Sequence, residues 1–390
     1  MKRIGMLLIA LACLCSAFSW PVIVQAAPSV STHAEAAALI DVRSGRVLYS
    51  RQGDKPMRVA SLTKVMTAIV AIENGKLSSM VKVGKNAFRK EGSSIYLRLN
   101  EEMSLQHLLY GMMLRSGNDA ATAIAEHVGG TLDGFVYMMN EKAKMIGMTH
   151  SSFKNPHGLD AEGHYSTAND MAMLTAYALR NPVFQEIVKT KVKKAPNPNE
   201  RWDYNWLNKN KMLHIYEGAD GVKTGYTKLA KRCLISSATR NGQQLAVVTL
   251  NDSDDWADHA KLLDYGFKNY PLETFIRKGD AVQGSDYVAG ADFAYPALNE
   301  EKSRISSKIV LNAANSTSFR LGEAGRLQYL IDGKEIGHVV LLPKDSPRLK
   351  QKEGSAFSFT ESSAGESSLF EKWLYHLHFL VRVLFLGRSN

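Results

Sequence analysis

Two stretches of strand-like alternation bracket a long region of helical spacing. Near the N-terminus, Ala37-Ala38-Leu39-Ile40-Asp41 and Val47-Leu48-Tyr49 are apolar runs separated by Arg43-Ser44-Gly45-Arg46, which predicts a β-hairpin. From Ser61 to about Arg180 the period changes. Val65, Met66, Ala68, Ile69 and Ile72 recur at three- and four-residue steps and form an apolar wall behind Ser61, so Ser61 is expected in the first turn of a buried helix. Further helical stretches fall at 105–114, 120–127, 134–146 and 167–179. Strand periodicity then returns over 220–250, where 233–238 and 245–250 read as neighbours joined through the hairpin dipeptide Asn241-Gly242. An amphipathic helix over 256–267 closes the segment. Strands from both ends around a helical middle predict an α+β fold, an antiparallel sheet flanked by helices, for a catalytic domain at 34–270.

Beyond this the pattern shifts to short strands with turn residues. Asp280-Ala281-Val282, Ile309-Val310-Leu311, 327–331, the turn Asp332-Gly333 and 337–342 predict a small C-terminal all-β domain over 275–343. Residues 344–368, rich in Ser, Lys, Gly and Glu, read as a flexible linker. The chain turns apolar again at 369–386. Leu369, Phe370, Trp373, Leu374, Leu377, Leu380, Val381, Leu384 and Phe385 share one wide helical face, with Glu371, Lys372, His376, His378 and Arg382 on the other. A spanning helix needs about 20 mostly uncharged residues. The expectation here is an amphipathic helix lying in the membrane interface, with Trp373 and Tyr375 as aromatic anchors. Packing on the protein itself or in a dimer is the alternative, and the preceding linker disfavours it.

At the other end, Met1-Lys2-Arg3 precedes an apolar run, and Val24-Gln25-Ala26 is a small-residue cleavage site, so 1–26 reads as a secretory signal. Trp20-Pro21 interrupts the run and argues against a retained anchor helix. The protein is therefore expected to be exported and held peripherally on the outer face of the cytoplasmic membrane by its C-terminal helix.

With 390 residues, 45% of them hydrophobic, the chain can bury more than one core. Of its three cysteines, Cys13 and Cys15 lie in the signal, leaving Cys233 in an apolar strand pattern as a buried, inert thiol; no internal disulfide is possible. Net charge is +10, and signal removal takes away Lys2 and Arg3. The remaining positive charge suits an anionic wall or membrane surface. Export and the lack of a concentrated Lys/Arg stripe exclude nucleic acid as a partner.

Three short motifs carry candidate chemistry: Ser61-Leu62-Thr63-Lys64, Ser116-Gly117-Asn118 and Lys223-Thr224-Gly225. Ser-x-x-Lys is common and recurs at Ser79–Lys82 and Ser151–Lys154, but only Ser61 is followed by a buried helical run. In that setting Lys64 projects from the same helical face as Ser61. Together the three describe a serine acyl-transfer site whose base is a lysine. A serine hydroxyl needs an adjacent base, and lysine serves only when neutral, far from its ordinary pKa of about 10.4. Burial in the helix wall and a second cation, Lys223, would both push Lys64 down. Ser116 can relay a proton to the leaving amine, and Asn118 can hold the substrate backbone. Lys223 and Thr224 would meet an anionic group such as a terminal carboxylate. Backbone N–H groups of Ser61 and Tyr226 are the candidate donors to a developing oxyanion. His157, Asp160 and His164 are close in sequence, but no His-Glu-x-x-His occurs and the segment reads as a loop, so no metal site and no cofactor are expected.

These residues resemble those of the low-molecular-mass penicillin-binding proteins, the D-alanyl-D-alanine carboxypeptidases of the serine peptidase type. The resemblance runs over about 35–345 and includes Ala60–Thr67, Glu91-Gly92-Ser93-Ser94, 114–121, Asn155-Pro156-His157-Gly158-Leu159 and 220–227. It implies a β-lactamase/transpeptidase-like fold, Ser61 as the acylated nucleophile, Lys64 as general base, and Ser116 with Asn118 as the second motif. Lys223, Thr224, Gly225 and Tyr226 would form the carboxylate-side strand. The implied reaction removes the terminal D-alanine of the peptidoglycan stem peptide, in growing wall or in a specialised wall such as the spore cortex, and β-lactams would acylate Ser61 and stay attached. A β-lactamase would share the motifs but needs an activated deacylating water, and no Glu-x-x-Leu-Asn-like element is visible. A non-catalytic wall-binding protein would keep the fold and lose the base. One departure stands out: Lys231 occupies a place where relatives often carry glycine.

Overall fold

The computed structural model describes residues 30–350. The expected signal at 1–26, most of the linker and the helix expected at 369–386 lie outside the described residues. In chain order the first unit holds β1 (Ala36–Asp41), β2 (Val47–Arg51), a 3-10 turn (Ala60–Thr63), α1 (Lys64–Asn74), β3 (Met80–Lys82) and β4 (Glu102–Ser104). Then come α2 (Leu105–Arg115), α3 (Asn118–Gly129), α4 (Leu132–Met145), α5 (Ala168–Ala178), α6 (Pro182–Lys189), β5 (Val192–Ala195) and β6 (Tyr204–Leu207). The chain returns to the main sheet with β7 (Ala219–Thr227), β8 (Lys231–Arg240) and β9 (Gln243–Leu250), and α7 (Asp255–Asn269) follows.

The main sheet is antiparallel, in the order β2-β1-β9-β8-β7, as the α+β expectation requires. Its central strands are buried on both faces, which is why they read as continuous apolar runs rather than alternating ones. Ala36, Ala38 and Ile40 of β1 join Val248 and Ile235 in the larger core, built with α1 to α6. Ala37 and Leu39 point the other way, into a second core with Leu245, Val247 and Leu262 and Leu263 of α7. Each fully buried Leu or Ile here contributes about 1.5–3 kcal/mol. The β8–β9 turn is Asn241-Gly242 with φ of +49° and +79°, both left-handed, as the dipeptide predicts.

Local chemistry sets the helix boundaries. Ser104, Thr131, Thr167 and Asn181 each accept a backbone N–H at the start of α2, α4, α5 and α6. Such caps contribute about 1 kcal/mol apiece. Two findings differ from the periodicity. Ser61 lies in the 3-10 turn, and α1 itself begins at Lys64, so the nucleophile candidate sits on a tight lead-in rather than in the helix. The helical region is also interrupted by β3 and β4, strands too short for a periodic signal.

Among the described residues the second unit comprises 276–292, 308–328 and 338–350, whereas 293–307 and 329–337 belong to the first. In the C-terminal region β10 (Leu272–Ile276) pairs with β12 (Phe293–Pro296). A four-stranded sheet has the order β11 (Val288–Ala289), β15 (Lys334–Leu342), β14 (Gly325–Ile331), β13 (Ile305–Leu311). The strand expected at Asp280-Ala281-Val282 is only an isolated bridge, Ala281 to Val288.

Candidate active site

All three motifs converge on one cleft. Ser61 comes from the 3-10 turn, Lys64 from the start of α1, Ser116 and Asn118 from the α2–α3 junction, and Lys223 to Tyr226 from β7. Strand β7 lies at the edge of the sheet, beside the 3-10 turn. Gly225 permits that approach, since a Cβ there would stand 3.2 Å from Ser61 N and 3.3 Å from Ala60 Cβ. The cavity, about 450 Å³, is lined by Ser61, Ser93, Ser116, Lys209, Thr224 and Trp256, among others.

Lys64 is completely buried, and its Nζ has three oxygen neighbours. Asn118 Oδ1 is at 2.7 Å and the His157 carbonyl at 2.6 Å, and both can only accept. The third, Ser61 Oγ, lies at 3.0 Å and can donate. A neutral amine has two protons and one lone pair, so it satisfies this set with the lone pair turned to the Ser61 hydroxyl. Burial pushes the Lys64 ammonium well below the ordinary lysine range, and the Lys223 and Lys209 charges reinforce that. Lys223, also buried, is pushed down to about 7 by burial and then by Lys209; its Nζ donates to the Thr224 carbonyl at 2.8 Å.

Asn118 is fixed at both ends. Its Nδ2 donates to the Glu91 carbonyl at 2.7 Å, and its backbone N–H donates to the Ser93 carbonyl at 2.7 Å. Gly92, at φ +85°, is required by that contact, because a Cβ would come within 2.6 Å of Asn118 Nδ2. Ser116 ends α2 in the left-handed conformation at φ +66°, a place where glycine is usual. A non-glycine residue held there marks a position whose side chain is wanted in the cleft.

Sequence reasoning missed several contributors. Asp119, one place after Asn118, accepts the Ile95 and Leu97 N–H groups, each at 3.1 Å, and the Ser94 hydroxyl at 2.6 Å. It thereby holds the loop that brings Ser93 to the cleft. Lys209 is exposed, with Nζ 3.4 Å from Ser93 Oγ. Only its place next to two asparagines, Asn208 and Asn210, hints at a constrained turn. The Asn155–Leu159 loop supplies a main-chain carbonyl to Lys64 and another, from Pro156, to Thr67 Oγ1 at 2.6 Å. Neither histidine near this loop is solvent-facing: burial pushes His157 down to about 3 and His164 down to about 4. Cys233 is buried in β8 as expected, and burial pushes its thiol up to about 12.

Lys231 adopts φ +60° at the start of β8, a left-handed conformation that favours glycine. Its neighbour Arg232 pairs with Asp255 at the rim of the cleft.

This α+β frame holds the Ser61–Lys64 pair between a helical layer and an edge strand. Residues 22–254 match the peptidase family described as D-alanyl-D-alanine carboxypeptidase, and the chain belongs to that family. It is 37% identical to D-alanyl-D-alanine carboxypeptidase DacF of Bacillus subtilis over 259 residues, which is 64% of this chain and 66% of the relative. It is also 37% identical to DacC of Escherichia coli over 269 residues, covering 64% of this chain and 65% of that one. The chain thus spans just under two thirds of the length of these relatives. Among solved structures, penicillin binding protein 5 from Haemophilus influenzae superposes with a TM-score of 0.67 at 27% identity, over 81% of this chain and 97% of that one.

Proposed function

We propose that this protein is a serine-type D-Ala-D-Ala carboxypeptidase that trims peptidoglycan stem peptides through an acyl-enzyme on Ser61. The observation that carries this reading is the 3.0 Å approach of Ser61 Oγ to a buried Lys64 whose other two contacts can only accept protons. Lys64 takes the Ser61 proton as Oγ attacks the carbonyl of the penultimate D-alanine. The oxyanion forms against the N–H groups of Ser61 and Tyr226. Ser116 passes the proton to the departing D-alanine amine. The substrate carboxylate meets Lys223 and Thr224, and Lys209 adds positive charge to the same cleft. Water then hydrolyses the ester with Lys64 again as base.

A β-lactam follows the same first half. Its leaving amine stays tethered to the acyl group, so the adduct persists. The sequence carries no Glu-x-x-Leu-Asn-like element to activate a deacylating water, which favours the carboxypeptidase over a β-lactamase.

Export through 1–26, and peripheral attachment to the outer face of the cytoplasmic membrane through the amphipathic segment 369–386, belong to the same proposal and rest on sequence pattern. The test is incubation of the purified protein with a diacetylated lysyl-D-Ala-D-Ala tripeptide and, separately, a fluorescent penicillin. D-Alanine release together with a persistent label is expected. Rapid loss of label would identify a β-lactamase, and no label at all a non-catalytic wall-binding protein.

A further inference from the structure

The residue before the nucleophile has an uncommon backbone conformation. Ala60 has φ +47°, a left-handed conformation that a Cβ-bearing residue adopts only when its surroundings impose it. Those surroundings are specific. The Ala60 carbonyl accepts the Thr63 hydroxyl at 2.9 Å. On its other side is Gly158, at φ +83°, where an added Cβ would stand 1.9 Å from that same oxygen.

Behind Thr63 is His164, whose Nε2 is 2.9 Å from Thr63 Oγ1. The direction of each bond can be assigned. The Lys154 N–H donates to His164 Nδ1 at 3.0 Å, so Nδ1 is the bare nitrogen and Nε2 carries the proton. Thr63 has given its own proton to Ala60, so its oxygen accepts from Nε2. The order runs one way, from Lys154 N–H through the His164 ring and the Thr63 hydroxyl to the Ala60 carbonyl. Phe153, edge-on to the His164 ring at 5.8 Å between centroids, closes the remaining side.

The consequence lies on the far side of one peptide group. The Ala60 carbonyl and the Ser61 N–H belong to the same trans peptide and point in opposite directions. Fixing the carbonyl therefore fixes the N–H, and Ser61 N itself lies close against Gly225 of β7. Oxyanion stabilisation depends on donors aligned before the charge develops. We propose that His164 and Thr63 form a hydrogen-bonded relay that aims the Ser61 N–H at the reacting carbonyl oxygen, making both of them positioning residues for acyl transfer. The inference rests on the reading of Ser61 as nucleophile given above.

The test measures β-lactam acylation in the full chain, separating the initial binding constant from the acylation rate constant, beside the affinity of a peptide boronic acid. Labelling of the wild-type protein comes first: its failure would sink the Ser61 reading itself, not the relay. Thr63→Val keeps the shape and removes the hydroxyl. It should slow acylation by about 10- to 100-fold, below the loss of about 10²–10³ for deleting a donor outright. Initial binding should stay within about threefold, and boronate affinity should fall in step with the rate, as for any interaction made only in the transition state. Thr63→Ser should restore both. His164→Leu should reproduce the Thr63→Val loss, whereas His164→Gln, which keeps a donor at the Nε2 position, should recover most of it. The double variant Thr63→Val/His164→Leu should lose no more than Thr63→Val alone, because groups acting through one path are not additive. Multiplicative losses in the double variant, or a rate unchanged in Thr63→Val while only thermal stability falls, would overturn the relay.

Discussion

Lys64 Nζ and Asn118 Oδ1 stand 2.7 Å apart although 54 residues separate them, and Asn118 is itself held by the Glu91 carbonyl. The amide can only accept at that oxygen, so it occupies one Lys64 proton and helps direct the lone pair at Ser61. Burial then disfavours the charged ammonium and pushes Lys64 well below the ordinary lysine range.

Ser61→Ala should abolish covalent labelling by a fluorescent penicillin and leave the far-UV circular dichroism and melting temperature close to wild type. Ser61 is only half-buried and fills no core, so its loss removes chemistry without opening a cavity. A variant that still forms a stable adduct would place the nucleophile elsewhere.

The acylation rate should fall as pH drops through the Lys64 pKa, because the protonated amine cannot accept the serine proton. Lys209 contributes to holding that pKa down. In Lys209→Met the ammonium form is less disfavoured, its pKa rises, and the acid limb of the rate profile should move to higher pH. A limb that stays put or moves to lower pH would mean that Lys64 is not the titrating base.

Asp119→Ala should destabilise the protein by about 3 kcal/mol in urea unfolding, since the buried N–H groups of Ile95 and Leu97 lose their acceptor at a cost of about 1–3 kcal/mol each. It should also slow acylation, because the loop carrying Ser93 loses its anchor. A loss below about 1 kcal/mol would show that water replaces the carboxylate.

Lys231→Gly should stabilise the fold by about 0.5–1 kcal/mol, because Lys231 pays for a left-handed backbone that glycine adopts freely. Thermal unfolding reads the sign directly, and a lower melting temperature would mean that the exposed lysine stem packs usefully.

Truncation before Leu369 should leave acylation intact and shift the protein from the membrane pellet to the supernatant in cell fractionation. A truncated protein that still sediments with membranes would refute anchoring by that segment.

Much of this architecture was legible in the chain. The Asn241-Gly242 turn, the apolar wall behind Ser61 and the pairing of the strands at 233–238 and 245–250 follow from local spacing, and the structure has them where the pattern puts them. The 3-10 lead-in at Ala60–Thr63 was not legible, because 3-10 and α turns share nearly the same short-range periodicity. Asp119, Lys209 and the His157 carbonyl were missed for a different reason. A main-chain carbonyl carries no residue-type signal, and one aspartate or lysine resembles any other until a distant loop arrives beside it.

What the residues determined by themselves were the participants: a serine and a lysine on one turn, a hydroxyl and an amide at a helix junction, and a cation on an edge strand. Only the tertiary structure decided their protonation and direction. Both depend on water being excluded and on acceptors brought from far along the chain, as the His157 carbonyl is brought to Lys64 from 93 residues away. Desolvation is a property of the packed interior, and no local stretch of sequence contains it.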